Sequence, residues 1–212
     1  SGQEIEQYIL KNFSLNLDYM FNFNVLHIYT KDFLKKVNYR SFNFHNSPLP
    51  LYRGINSVNW GLFKNEKRWG ITWHKIASNV DSGDIIYQKT FDIPMNIYQV
   101  DLIIYCFILG IKSFKEIITK LYSKDLSYIS QMKYKVISTY NASKKPEINL
   151  DSLEQLNFIE RCQPVTSLNK FRWPINILNN QCTLISRSKN FKGIIKLKKT
   201  IIFREAKIYY AD

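Results

Sequence analysis

The sequence is poor in the residues that build several common functional sites. Its 212 residues hold only three cysteines, Cys106, Cys162 and Cys182. They are odd in number and far apart, so neither a disulfide framework nor a paired-cysteine zinc site is indicated. They read as free thiols of a cytoplasmic protein. Histidines are as few: His27, His45 and His74. That is too thin a set for a histidine metal centre, and no metal is expected. There are seven glycines, and none falls in a G-x-G-x-x-G or Walker A pattern, so dinucleotide and P-loop chemistry are not indicated. A G-x-S-x-G nucleophile elbow is missing too. No apolar run reaches about 18 residues, which argues against a membrane span. Leu102–Ile111 is the longest candidate and reads as a buried helix. No basic amphipathic helix with a wide apolar face stands out, so a membrane-surface role is unsupported. The start carries no signal-peptide pattern, and its Ser1-Gly2, without Met, reads as a cut or tagged beginning.

Acidic residues are scarce as well. Seventeen Asp and Glu face thirty Lys and Arg, a net charge of +13. Such a balance favours anionic partners: nucleic acid, nucleotide, phosphate or an acidic membrane. A lysine-coated surface without any such partner has the same composition. What the chain does have is a normal apolar share, 45%, enough for a sizeable core. Its length fits one domain, or one with a small appendage.

Patterning then sets the order of elements. Ile5, Ile9 and Phe13 lie at helical spacing over residues 3–13. Asp18–Asn24 is aromatic-rich and reads as a buried strand. Thr30 suits an N-cap for a helix over Lys31–Lys36. Ser41–His45 reads as a strand, Ile55–Lys64 as a helix, and Gly70–Ile76 as a strand. A turn at Asn79–Gly83 leads to a short strand at Asp84–Gln88, and Tyr98–Leu121 is a long helix with an apolar stripe. Strands alternating with helices predict an α/β layered domain with a mostly parallel sheet over residues 1–122. Residues 123–149, polar and tyrosine-rich, read as a linker. Residues 150–212 read as a small subdomain: a helix at Leu150–Cys162, then a β-rich appendage with short runs at Cys182–Ile185, Gly193–Leu197, Thr200–Phe203 and Lys207–Tyr210.

The stretch from Asn43 to Gly54 carries the chemistry. In an extended strand side chains alternate, so Phe42 and Phe44 face one way, Asn43 and His45 the other. Two polar groups on one face at the end of an apolar strand are costly unless they are used. Pro48, Pro50 and Gly54 then stop the strand and pin a turn. A second candidate is the acidic turn Val80-Asp81-Ser82-Gly83-Asp84, which alone is an ordinary solvated turn. A lone His45 would more often be structural, and His74, in mid-strand, reads as structural.

The combination is more specific than its parts. Asn43-Phe44-His45, Ser47-Pro48-Leu49-Pro50-Leu51-Tyr52-Arg53-Gly54 and Asp81-Ser82-Gly83-Asp84, with Gly70-Ile71-Thr72-Trp73-His74 between them, resemble the folate-dependent formyltransferases. That family includes glycinamide ribonucleotide and methionyl-tRNA formyltransferases, amino-sugar N-formyltransferases and the formylation domains of peptide synthetases. The resemblance covers about residues 18–122. It implies a Rossmann-like fold and transfer of a formyl group from 10-formyltetrahydrofolate to a primary amine. By the same resemblance Asn43, His45 and Asp81 are the catalytic trio. His27, Ile28 and Tyr29, with Ala77, Ser78, Asn79 and Val80, would line the pterin pocket. Ser47, Tyr52 and Arg53 would adjoin the amine substrate, Arg53 equally as a loop brace. The family carries about two strand–helix units before the position of Asp18, where this chain has seventeen residues, so an N-terminally shortened domain is expected. A nucleotide-linked amino sugar of the dTDP-4-amino-4,6-dideoxyhexose type is the expected acceptor, with a carrier-bound amino acid or methionyl-tRNA as alternatives and a homodimer as one assembly. A non-catalytic binding protein that keeps the fold is the reading from another class.

Overall fold

The computed structural model describes residues 2–13, 18–37, 40–95, 97–134, 138–140, 147–148, 172–177, 180–185, 194–196, 200–204 and 207–210. Two compact units divide the chain. One takes Ser1–Gly54, Gly70–Phe91 and Cys106–Thr139; the other takes Ile55–Trp69, Asp92–Tyr105 and Tyr140–Asp212.

The first unit is built on a four-stranded sheet of order β1-β2-β4-β5: β1 (Met20–Phe23), β2 (Ser41–His45), β4 (Arg68–Lys75) and β5 (Ile85–Asp92). β1 and β2 run parallel, with Phe21 beside Phe42 and Asn22 beside Asn43. β2 and β4 run antiparallel, with Asn43 opposite His74 and His45 opposite Thr72. At the two ends of the next pair, Lys75 N–H donates to Asp84 O and Ile93 N–H to Lys67 O, so β4 and β5 are antiparallel too. The α/β class stands, but the sheet is mixed rather than mostly parallel. The turn at residues 76–84 is too short for a parallel crossover, which needs about a dozen residues or more.

Alternation along β2 sorts its side chains as the sequence predicts. Phe44 stacks on Phe23 at 4.4 Å, and Phe42 on Phe21 at 5.5 Å. Trp73 meets Phe44 edge-on, and Phe107 and Phe114 reach this layer from helix α4 (Gln99–Tyr122). Trp73 Nε1 donates to Ser113 Oγ at 3.0 Å, so its polar edge is satisfied inside the core. α4 approaches this closely because residue 110 is glycine: a Cβ there would run into the Phe44 ring. Helix α2 (Lys31–Lys36) starts at Thr30, whose hydroxyl accepts from Phe33 N–H at 3.2 Å. α2 buries Phe33 and Leu34 with Tyr29 and Val37, and Ile9, Leu10, Met20 and Ile76 pack on that cluster. Ile9 and Leu10 come from α1 (Gly2–Asn12), which is pinned by buried Glu6: its carboxylate accepts from Thr30 N–H and Thr30 O–H, both at 2.7 Å, and pairs with His27 Nε2 at 3.1 Å. Burial alone would raise the Glu6 carboxyl, but these partners bring it below its usual value. The short strand β3 (Arg53–Gly54) pairs with β6 (Thr139–Tyr140), and a one-turn 3-10 helix spans Gln131–Lys133.

In the second unit, helix α3 (Ser57–Phe63) buries Val58, Trp60 and Leu62. The Trp69 ring lies so close to Gly61 that a Cβ there would overlap it. Six strands form a sheet of order β12-β11-β10-β9-β8-β7: β7 (Glu147–Ile148), β8 (Arg172–Ile177), β9 (Asn180–Ile185), β10 (Ile194–Lys196), β11 (Thr200–Arg204) and β12 (Lys207–Tyr210). All neighbours are antiparallel except β7 with β8. The four β-type runs of the sequence fall on β9 to β12. β8 escaped notice because Pro174, opposite Thr183, is a residue that sheets tolerate poorly. The helix expected at Leu150–Cys162 lies outside the described residues.

Candidate active site

Asn43 and His45 point away from the aromatic layer, and β4 sets His74 beside Asn43. The turn after β4 swings Asp81 over the same spot. Its backbone is left-handed, φ 46°, a conformation that Asp and Asn tolerate better than most residues. Gly83 lets the turn close on β4, where a Cβ would collide with the Lys75 carbonyl. The result is a tight cluster. Asp81 Oδ2 accepts from Gly54 N–H at 2.8 Å and faces His45 Nδ1 at 3.5 Å. Asp81 Oδ1 faces His74 Nε2 at 3.4 Å and accepts from Asn43 Nδ2 at 3.5 Å. Asn43 Nδ2 also donates to His74 Nε2 at 3.2 Å.

The imidazoles have assignable roles. His45 Nε2–H donates to Tyr52 O at 2.8 Å, which leaves Nδ1 as the nitrogen that gains or loses a proton, with Asp81 beside it. His74 Nδ1–H donates to Lys75 O at 2.7 Å, so its Nε2 is the acceptor for Asn43. Burial pushes the His45 imidazole below its ordinary value, against the raising effects of Asp81 and of the Tyr52 carbonyl. Burial alone would raise Asp81, but His45, His74 and the Gly54 N–H outweigh it and hold the carboxyl well below the usual carboxylate range. A neutral His45 weakens the first of these effects, and a neutral His74, whose Nε2 is an acceptor, weakens the second. The Gly54 bond and the Asn43 amide do not depend on either.

The other sequence-predicted residues divide. Ser47 is not at an open surface: it is fully buried, and its hydroxyl is spent on Leu51 O and Tyr52 O at 3.0 and 3.2 Å. Tyr52, φ 60°, is 3% exposed and serves through its carbonyl. Arg53 forks onto Gln131 Oε1, 2.9 Å from Nε and 2.6 Å from Nη2. The turn that carries them is laced to the sheet: Leu49 N–H donates to Thr72 Oγ1 at 3.1 Å, and Thr72 O–H to Ser47 O at 2.7 Å. Of the expected pterin segments, Ile28 and Val80 are exposed, as are Ser78 and Asn79. Tyr29 is buried with its hydroxyl on Asn22, and His27 is engaged by Glu6. Among the described residues the main chain of Val25–Tyr29 and of Ala77, Ser78 and Val80 makes no backbone hydrogen bond. Exposed apolar side chains beside free main-chain donors and acceptors are what the edge of a flat heterocycle requires, so these segments fit a pterin. His74 was missed as a site residue. The register of β4 against β2 was the signal, because it puts His74 on the face of Asn43. Gln131 was missed because it sits in what reads as linker.

Residues 3–102 match the formyl transferase family model. These residues belong to the formyl transferase family. The chain is 39% identical over 79 residues to the bifunctional polymyxin resistance protein ArnA of Wigglesworthia glossinidia brevipalpis, a match covering 37% of this chain and 12% of that protein. The chain thus matches only about an eighth of that curated relative's length. Among solved structures, the sugar 3N-formyl transferase WlaRD, determined with dTDP and 5-N-formyl-THF, has a TM-score of 0.58 and 22% identity, covering 90% of this chain and 70% of that one. The N-formyltransferase from Helicobacter canadensis, in complex with folinic acid and dTDP-3-aminofucose, has a TM-score of 0.57 and 24% identity, covering 89% and 70%. At these identities the structural likeness speaks for the formyl transferase fold.

Proposed function

We propose that the chain transfers a formyl group from 10-formyltetrahydrofolate to the primary amine of a nucleotide-linked amino sugar. The observation that carries this reading is the cluster of Asn43, His45 and Asp81, closed by the Gly54 N–H on Asp81. The folate supplies an activated formyl carbon. Everything else is asked of the side chains. As the amine nitrogen bonds that carbon, negative charge develops on the formyl oxygen. The Asn43 amide can meet it: its 3.5 Å bond to Asp81 is at the limit of a hydrogen bond and is readily exchanged for a nearer oxyanion. The amine must shed a proton. His45 Nδ1 is the base that accepts it, and Asp81 stabilises the imidazolium that forms. The proton then goes to the folate nitrogen as its bond to the formyl carbon breaks.

The acceptor is inferred from two supports. WlaRD is a sugar 3N-formyl transferase described with dTDP, the Helicobacter canadensis protein is an N-formyltransferase in complex with dTDP-3-aminofucose, and a net charge of +13 suits a pyrophosphate. The test is incubation with 10-formyltetrahydrofolate and, separately, a dTDP-amino sugar, a carrier-bound amino acid and methionyl-tRNA, with product masses recorded. Formylated sugar is expected. Formylation of another acceptor alone would overturn the substrate, and formylation of none would overturn the reaction.

A further inference from the structure

We propose that Gln131 is a positioning residue that sets Asp81, and that Arg53 serves the site through Gln131 rather than by touching substrate. Gln131 is 1% exposed, and its amide is fully used. Nε2 donates to Asp81 O at 2.8 Å and to Gly83 O at 2.7 Å, while Oε1 accepts both bonds of the Arg53 fork. It spans the main chain of the Asp81 turn and the side chain next to Gly54. Because Gly54 N–H holds the Asp81 carboxylate, a closed ring results: Arg53 to Gln131, Gln131 to the Asp81 carbonyl, and Asp81 Oδ2 to Gly54.

The turn needs this support. Within it the one backbone bond among described residues is a long one, Ser82 N–H to Asn79 O at 3.4 Å, and Asp81 is left-handed. Gln131, in contrast, stands on a firm base. Ile129 and Ile85 exchange both backbone bonds at 2.9 Å, and Ser130 caps the 3-10 turn. The chemistry singles out glutamine. Two carbonyls need an N–H₂, which Glu lacks. A guanidinium fork needs an oxygen, which Lys and Arg lack. Asn is one methylene short. A carboxylate paired to an imidazole acts through its position, and a displacement of about 1 Å can cost roughly 100-fold in rate.

The catalytic part of this inference rests on the formyl-transfer reading; the geometric part is tested without it. The measurement is an imidazole NMR titration of the whole chain, with His27, His45 and His74 as its only histidines. The groups facing His45 are Asp81 and His74, with Arg53 behind Asp81. Gln131→Met keeps length and removes every hydrogen bond. When the carboxylate drifts from His45, its raising effect weakens, so the His45 titration moves to lower pH. Arg53→Lys keeps the charge, loses the fork, and gives a smaller shift of the same sign. If Gln131→Met does not melt cooperatively, Arg53→Lys decides the matter. A His45 titration that is unmoved or moves upward overturns the proposal. In turnover, Gln131→Met lowers kcat by roughly 100-fold with KM for the amine little changed; a rise in KM alone also overturns it. If the titration shifts but the wild type formylates no amine, positioning holds and the reaction reading fails.

Discussion

Replacing Asp81 by Asn isolates the charge at the centre of the proposed mechanism. Asn tolerates the left-handed backbone that Asp81 occupies, and its side-chain oxygen can still accept from Gly54 N–H. The negative charge is lost, and with it the second oxygen that accepts from Asn43 Nδ2 at 3.5 Å. At 3.5 Å from His45 Nδ1, with an effective dielectric of about 20, that charge is worth at most roughly 5 kcal/mol to an imidazolium. The Gly54 N–H binds the same carboxylate oxygen at 2.8 Å, so a loss of roughly 3 to 4 kcal/mol is the working figure, or about 100- to 1,000-fold in kcat. The assay is steady-state turnover with 10-formyltetrahydrofolate and the amino sugar, beside an imidazole titration. kcat should fall by that factor, and the His45 titration should move to lower pH. A kcat within about fivefold of wild type would refute the mechanism, and an unmoved titration would refute the electrostatic account.

Acid should weaken the fold in two stages. His45 has a folded pKa below its ordinary 6.5, and Asp81 one below its ordinary 3.8. In both cases the unfolded chain binds more protons, so stability drops as pH falls, first below about 6.5 and again below about 4; melting temperature against pH reads this, and a flat profile from pH 7 to 5 would contradict the His45 shift. Gly110→Ala should destabilise by roughly 1–3 kcal/mol in urea unfolding. The Phe44 ring that its Cβ meets is hemmed by Phe23, Phe107 and Trp73 and cannot yield, which outweighs the better helix propensity of Ala. Glu6→Ala should cost about 1–3 kcal/mol by removing the carboxylate that accepts from Thr30 N–H and O–H, and hydrogen exchange at Thr30 should quicken; unchanged exchange would show that α1 is not held by Glu6.

What was legible in the sequence was what local pattern dictates. The five residues of β2 announce two faces by alternation alone. Thr30 announces the start of α2. Asp81-Ser82-Gly83 announces a turn. Strand direction was not local: the alternation of strands with helices along residues 1–122 gave the parallel expectation, but the short turn between β4 and β5 allows only an antiparallel return. His74 and Gln131 were illegible for related reasons. The first needs the β2–β4 register, and the second lies fifty residues from the Asp81 carbonyl it holds. Ser47 misled because its hydroxyl, chemically able to greet a substrate, is consumed by carbonyls four and five residues ahead.

β2 has a further consequence, for mutational tolerance. Phe42 and Phe44 build the aromatic layer, Asn43 and His45 face the site, and Ser41, fully buried, binds the next segment through its carbonyl to Ile76 N–H at 2.9 Å. No position along it is idle. A complete substitution scan would therefore see an unbroken band of intolerance from 41 to 45, in which abundance and activity fail at alternate positions from 42 onward. Fitness alone would merge the two patterns, and scoring abundance and activity separately would recover the strand's period of two.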